Sequence, residues 1–69
     1  MMTLKINGED HEIQTPAESL TAEQLLAELK LGYPVLVELN GVALFPRELP
    51  ERDVHDGDSL ELMRMTAGG

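Results

Sequence analysis

The chain has 69 residues and a formal net charge of −8, from five Lys and Arg against thirteen Asp and Glu. A chain of this length makes one thin-cored domain, residues 1–69, with no room for a second domain or a deep substrate cavity. The absence of cysteine excludes disulfides, thiolate metal sites and a cysteine nucleophile, and the acidity argues against nucleic acid or an anionic membrane surface as partner, because both call for clustered cations.

Near the N-terminus, Met2, Leu4 and Ile6 alternate with Thr3 and Lys5, the period of a strand with one buried face. Asn7-Gly8 is a favoured hairpin turn, and Glu9 to Gln14 returns with His11 and Ile13 on one face. Residues 16–19 read as a connection. Thr21 then caps a helix, with Gln24 completing a capping box and Leu20 and Leu25 placed as a hydrophobic staple. Ala22, Leu25, Leu26 and Leu29 mark one helix face. Glu23 and Lys30 suit the helix dipole. Gly32 is expected to end the helix and Pro34 to prevent its restart, giving about three turns.

Val35 to Leu39 is nearly all apolar, as expected of an interior strand. Asn40-Gly41 turns the chain into a short strand over Val42–Phe45, which Pro46 stops. Residues 47–54 are expected to be irregular or one short helical turn. Asp56-Gly57-Asp58 is a tight turn, Leu60–Met65 the last strand, and residues 66–69 a flexible tail. One helix then covers one face of a four- or five-stranded mixed sheet, an α+β arrangement. The first and last strands are expected to lie side by side and parallel. The N-terminus lacks a signal core, and the most apolar stretch is too short to cross a bilayer. The reading is a cytoplasmic protein.

Catalytic chemistry finds little material. The serines, threonines and two histidines fall in no nucleophile motif such as G-x-S-x-G. His11 and His55 read as structural or solvated. The stretch from Asp53 to Glu61 suggests a calcium loop, but Gly57 is out of register for one, so the aspartates read as turn formers. No metal or cofactor is expected on the chain. Met63 and Met65 share the strand face opposite Leu60 and Leu62; flexible methionines there suit a partner surface.

The last two residues are Gly68-Gly69. Without Cβ atoms such an end can lie extended in a channel too narrow for other residues and deliver an α-carboxylate to another protein. The competing reading is a frayed terminus without function. A carboxylate is ionised at neutral pH and is a poor electrophile. To carry a group it must first be activated, for instance as a mixed anhydride with AMP. The chain would then be a substrate, with the catalytic residues on its partner.

The N-terminal strand into Asn7-Gly8, the helix closed near Gly32, the apolar strand into Asn40-Gly41, Pro46-Arg47, Val54-x-Asp56-Gly57-Asp58 and the Gly68-Gly69 end occur here in one order. In that combination the chain resembles, over essentially its whole length, the thiamine-pathway sulfur carriers of the ThiS/MoaD superfamily. The resemblance implies a ubiquitin-like β-grasp fold and a modified residue at Gly69, with Gly68 and Ala67 as tail recognition elements. Met63 and Met65 form a possible partner interface. It implies a ThiF-like enzyme that adenylates the carboxylate with ATP and Mg. It further implies a sulfur donor of the cysteine desulfurase type, a thiocarboxylate end, and a ThiG-like thiazole synthase as acceptor. The Ala67-Gly68-Gly69 end is also similar to that of the molybdopterin synthase small subunit. A carrier for molybdopterin or another thio-metabolite, a ubiquitin-like protein modifier and a plain interaction module therefore stand as alternatives.

Overall fold

The computed structural model describes residues 1–65. Met2–Ile6 forms β1, with Met2, Leu4 and Ile6 buried and Thr3 and Lys5 exposed. Asn7 and Gly8 both adopt positive φ (51° and 82°), the requirement of a tight hairpin turn. They return the chain into β2, Glu9–Ile13, antiparallel to β1 with Ile6 opposite Glu9.

Helix α1 spans Ala22–Leu29. Its first turn is closed with little left unsatisfied. The Thr21 hydroxyl accepts from the Gln24 amide (3.1 Å), and the Gln24 side chain accepts from the Thr21 amide (2.9 Å). The two preceding helical amides donate outside the helix, Ala22 to the Arg52 carbonyl (2.8 Å) and Glu23 to the Leu49 carbonyl (3.0 Å). These contacts meet all four orphan donors of the helix N-terminus. They also tie the loop over residues 49–52 to α1.

The helix is shorter than its spacing predicts. It runs for eight residues, about two turns. Lys30, rather than Gly32, closes it in the left-handed conformation (φ 52°), donating back to the Leu26 carbonyl at 3.3 Å. Gly32 also has positive φ (78°) but lies in the following loop.

β4, Val35–Leu39, and β5, Val42–Leu44, form a second hairpin about Asn40-Gly41, again with both turn residues at positive φ. A single 3-10 turn follows at Pro46–Glu48. Asp53–His55 is strand β6 and Ser59–Arg64 is β7. The main sheet has the order β2-β1-β7-β4-β5. β7 is parallel to β1 and antiparallel to β4, so the sheet is mixed, and with α1 packed on one face it is a β-grasp.

Residues 16–19 and 47–54 are more ordered than expected. Ser19–Thr21 forms β3 and pairs antiparallel with β6 as a separate two-stranded ribbon. Each of these three-residue strands carries one apolar residue on the pairing register, Leu20 opposite Val54. That run is too short to show a period of two, and the ribbon is stabilised by the fully buried Val54.

Met2, Leu4, Leu25, Leu60 and Val54 are the large, fully buried side chains, drawn from β1, α1, β7 and β6. Leu20, Leu26, Leu29, Val35, Leu49 and Leu62 pack around them. Among the described residues no helix is long and apolar enough to cross a membrane.

Leu25 is the helix's deepest contribution to this core, at 0% exposure. Leu25→Ala is expected to cost about 3 kcal/mol. Thr21→Ala, which removes only the cap, is expected to cost about 1 kcal/mol. Urea unfolding followed by circular dichroism measures both; equal losses would contradict the assignment of Leu25 as the helix anchor.

Candidate functional site

The sequence reading places the functional end of the molecule after the last strand, so the geometry around β7 decides what can be presented there. Its start is fixed by a turn built from side chains as well as backbone. Gly57 takes positive φ (88°). The Asp56 carboxylate accepts from the Thr3 amide (2.6 Å), and the Thr3 carbonyl accepts from Gly57 (2.8 Å). One Asp58 oxygen accepts from the His55 amide (2.8 Å), the other from the Asn40 carboxamide (3.1 Å). Asn40 Oδ1 accepts from the Ser59 amide at 2.9 Å. Asp58 thus accepts from the turn's own backbone, as a turn former does, whereas the Asp56 carboxylate ties the turn to β1 instead. Among the described residues no group of three His, Asp or Glu is placed to hold a metal ion.

The far end of β7 is fixed differently. The Met65 amide donates to the Pro34 carbonyl (3.1 Å). The Arg64 guanidinium lies 4.4 Å from the centre of the Tyr33 ring, within the range of a cation–π contact. The loop that follows α1 therefore contacts each of the last two described residues, Arg64 through Tyr33 and Met65 through Pro34. Ala67, Gly68 and Gly69 lie outside the described residues.

The sheet's two faces divide the labour. Leu60 and Leu62 point to the α1 side, Leu60 fully buried and Leu62 half-buried. Met63 stands on the outward face directly opposite Leu36. The two are 44% and 50% exposed, and Met65, just beyond the strand, is 40% exposed. Leu36 is the residue that sequence reasoning missed. The run from Val35 to Leu39 reads as buried on both faces, whereas its alternation leaves Leu36 and Glu38 outward. The signal was the single Glu38, two positions from Leu36 and hence on the same face.

Around this apolar pair the outward face is acidic. Glu38 faces Glu61 across β4 and β7, and Asp10 and Glu12 lie outward on β2, with Lys5 opposite Asp10. Like charges directly opposite on a sheet are unfavourable. Their persistence beside an apolar patch leaves a negative potential that a basic partner relieves.

On the α1 side, the short helix leaves a shallow depression of about 300 Å³ between β1, β2 and the loop after α1. Ile6, Leu29 and Leu62 contribute apolar lining, and Glu9, His11, Tyr33 and Arg64 also line it. His11 is half-buried here, while His55 is exposed on β6. The two histidines share no site.

A model of the ThiS family matches residues 4–69. Among solved structures, the chain is similar to the crystal structure of a thiamine biosynthesis protein, ThiS, from Geobacter metallireducens, at 37% identity and a TM-score of 0.85, covering 99% of this chain and 100% of that one. It is also similar to the solution NMR structure of a thiamine biosynthesis protein from the same organism, at 39% identity and a TM-score of 0.73, covering 99% of this chain and 88% of that one. No curated protein matches the chain at a significant level.

Glu61→Lys turns the like-charged cross-strand pair with Glu38 into an opposite-charged one. It is expected to stabilise the fold by about 0.5 kcal/mol at low ionic strength, with the gain shrinking in high salt. Urea midpoints at two salt concentrations measure this; a loss of stability at low salt would show that Glu38 and Glu61 do not repel.

Proposed function

This chain belongs to the ThiS family, and we propose that it carries sulfur for the thiamine thiazole ring on the carboxylate of Gly69. The observation that supports this reading is the family match, which runs through to Gly69 itself. A carboxylate oxygen of Gly69 attacks the α-phosphorus of ATP in the active site of a ThiF-like enzyme, with Mg held there, and pyrophosphate leaves. The resulting acyl-adenylate is electrophilic where the free carboxylate is not. The terminal sulfur of a persulfide on a donor of the cysteine desulfurase type then displaces AMP, giving an acyl disulfide; a partner thiol cleaves its S–S bond, ending in a disulfide with the donor sulfur and releasing the thiocarboxylate, and a ThiG-like synthase takes the sulfur. The chain binds no cofactor of its own and contributes no catalytic side chain. Gly68 and Ala67 keep the tail narrow enough to enter both partners.

Docking falls to the outward sheet face. Leu36, Met63 and Met65 supply the apolar contact, and the surrounding carboxylates favour a partner with a basic rim. The reading includes a cytoplasmic setting and no nucleic-acid or membrane partner. The neighbours named for thiamine biosynthesis favour the thiazole over molybdopterin as the destination of the sulfur.

ATP–pyrophosphate exchange with a ThiF-like enzyme tests the reading. Deleting Gly69, or adding one residue after it, is expected to abolish exchange; retained exchange in either variant would contradict the role of Gly69. Met63→Asp with Met65→Asp puts unpaired charge into the docking face. The pair is expected to raise the half-saturating concentration about tenfold, or about 1.4 kcal/mol, and an unchanged value would remove that face from the interface.

A further inference from the structure

The first and last strands pair over a short register, Lys5 with Ser59 and Ile6 with Leu60. β1 then ends, because the chain reverses through Asn7 and Gly8. The Asn7 backbone amide makes the last ladder bond, to the Leu60 carbonyl at 2.9 Å. β7 continues to Arg64 with β4 still along its other side. On the β1 side, the next peptide groups of β7 face a strand that has turned away.

The Asn7 side chain occupies that place. Its Oδ1 accepts from the Leu62 amide at 2.8 Å, and its Nδ2 donates to the Leu62 carbonyl at 3.2 Å. A carboxamide carries the same donor and acceptor as a peptide group, so one side chain meets both backbone groups of Leu62. We propose that Asn7 is a positioning residue. Its carboxamide stands in for the next peptide of β1 and holds the second half of β7 in register as far as Met65. Its functional consequence rests on the reading of Gly69 as the reactive end, since β7 is the strand that leads to it. The structural part stands without that reading.

Asparagine in such a turn has a competing explanation, its tolerance of positive φ. Two substitutions separate the accounts. Asn7→Gly accommodates φ 51° more easily than asparagine does while deleting both side-chain bonds. Asn7→Asp keeps an acceptor for the Leu62 amide but loses the donor to its carbonyl. Amide exchange measured by NMR on the full chain reads the difference, with α1 amides reporting the global fold.

In Asn7→Gly the Leu62 amide is expected to exchange at least about tenfold faster while α1 amides keep their rates, and Asn7→Asp is expected to fall between it and the parent. In the exchange assay with the adenylating partner, Asn7→Gly is expected to raise KM about threefold with kcat held, because an end that must be ordered on binding weakens association without altering the chemistry. An unchanged Leu62 rate in Asn7→Gly overturns the proposal. So does a uniform rise across all amides in both variants, which would make Asn7 a general stability element. Faster Leu62 exchange with an unchanged KM overturns the positioning role. The amide measurement needs no partner enzyme, so its outcome is independent of the fate assigned to Gly69.

Discussion

β1 and β7 lie side by side and parallel, although they stand at opposite ends of the described chain. Parallel neighbours need a crossover, and α1 with the strands around it is that crossover. The pairing buries Leu4, Ile6 and Leu60 against Leu25 in one core. It also places β7 in the middle of the sheet, with β1 on one side and β4 on the other. The direct register with β1 is short, and side chains lengthen it at both ends. The Asp56 carboxylate takes the Thr3 amide before the paired stretch, and the Asn7 carboxamide takes both backbone groups of Leu62 after it. A central strand extended in this way is a stiff base for whatever follows Met65.

Strand alternation along β7 sets the division between the two faces. The inward face of β7 is committed to the core through Leu60 and Leu62, so any partner contact along the strand falls to the outward face, where Leu36 and Met63 oppose each other. The carboxylates around them cost the isolated protein some stability through mutual repulsion. They suit a surface that carries the opposite charge and keep a small protein soluble. A thin core, a strongly acidic exterior and an exposed apolar pair all fit the role proposed above, in which the chemistry takes place in another protein's site.

Where local chemistry dictates structure, the sequence was readable. The Asn-Gly turns, the Thr21–Gln24 capping box and the alternation of Met2, Leu4 and Ile6 each specify their geometry within a few residues. The parallel placement of the first and last strands followed from the helical crossover. What stayed hidden depends on contacts distant in sequence. β3 and β6 are three residues each and exist because Leu20 meets Val54. The helix stops at Leu29 although no glycine follows until Gly32, with Lys30 taking the left-handed turn instead. The exposure of Met63 and Met65 was legible from strand alternation. Leu36 was not, because a nearly all-apolar strand hides which of its residues face outward. The pair of hydrogen bonds between Asn7 and Leu62 was invisible, since the turn alone is enough to account for an asparagine there.

The account stands on the carboxylate of Gly69 as the group that carries sulfur. Its most direct measurement is the intact mass of the protein after incubation with a ThiF-like enzyme, Mg-ATP and a sulfur donor. The account predicts a gain equal to the exchange of one oxygen for one sulfur, located on the C-terminal residue by fragmentation. An unchanged mass with an enzyme proven active on another carrier would contradict it.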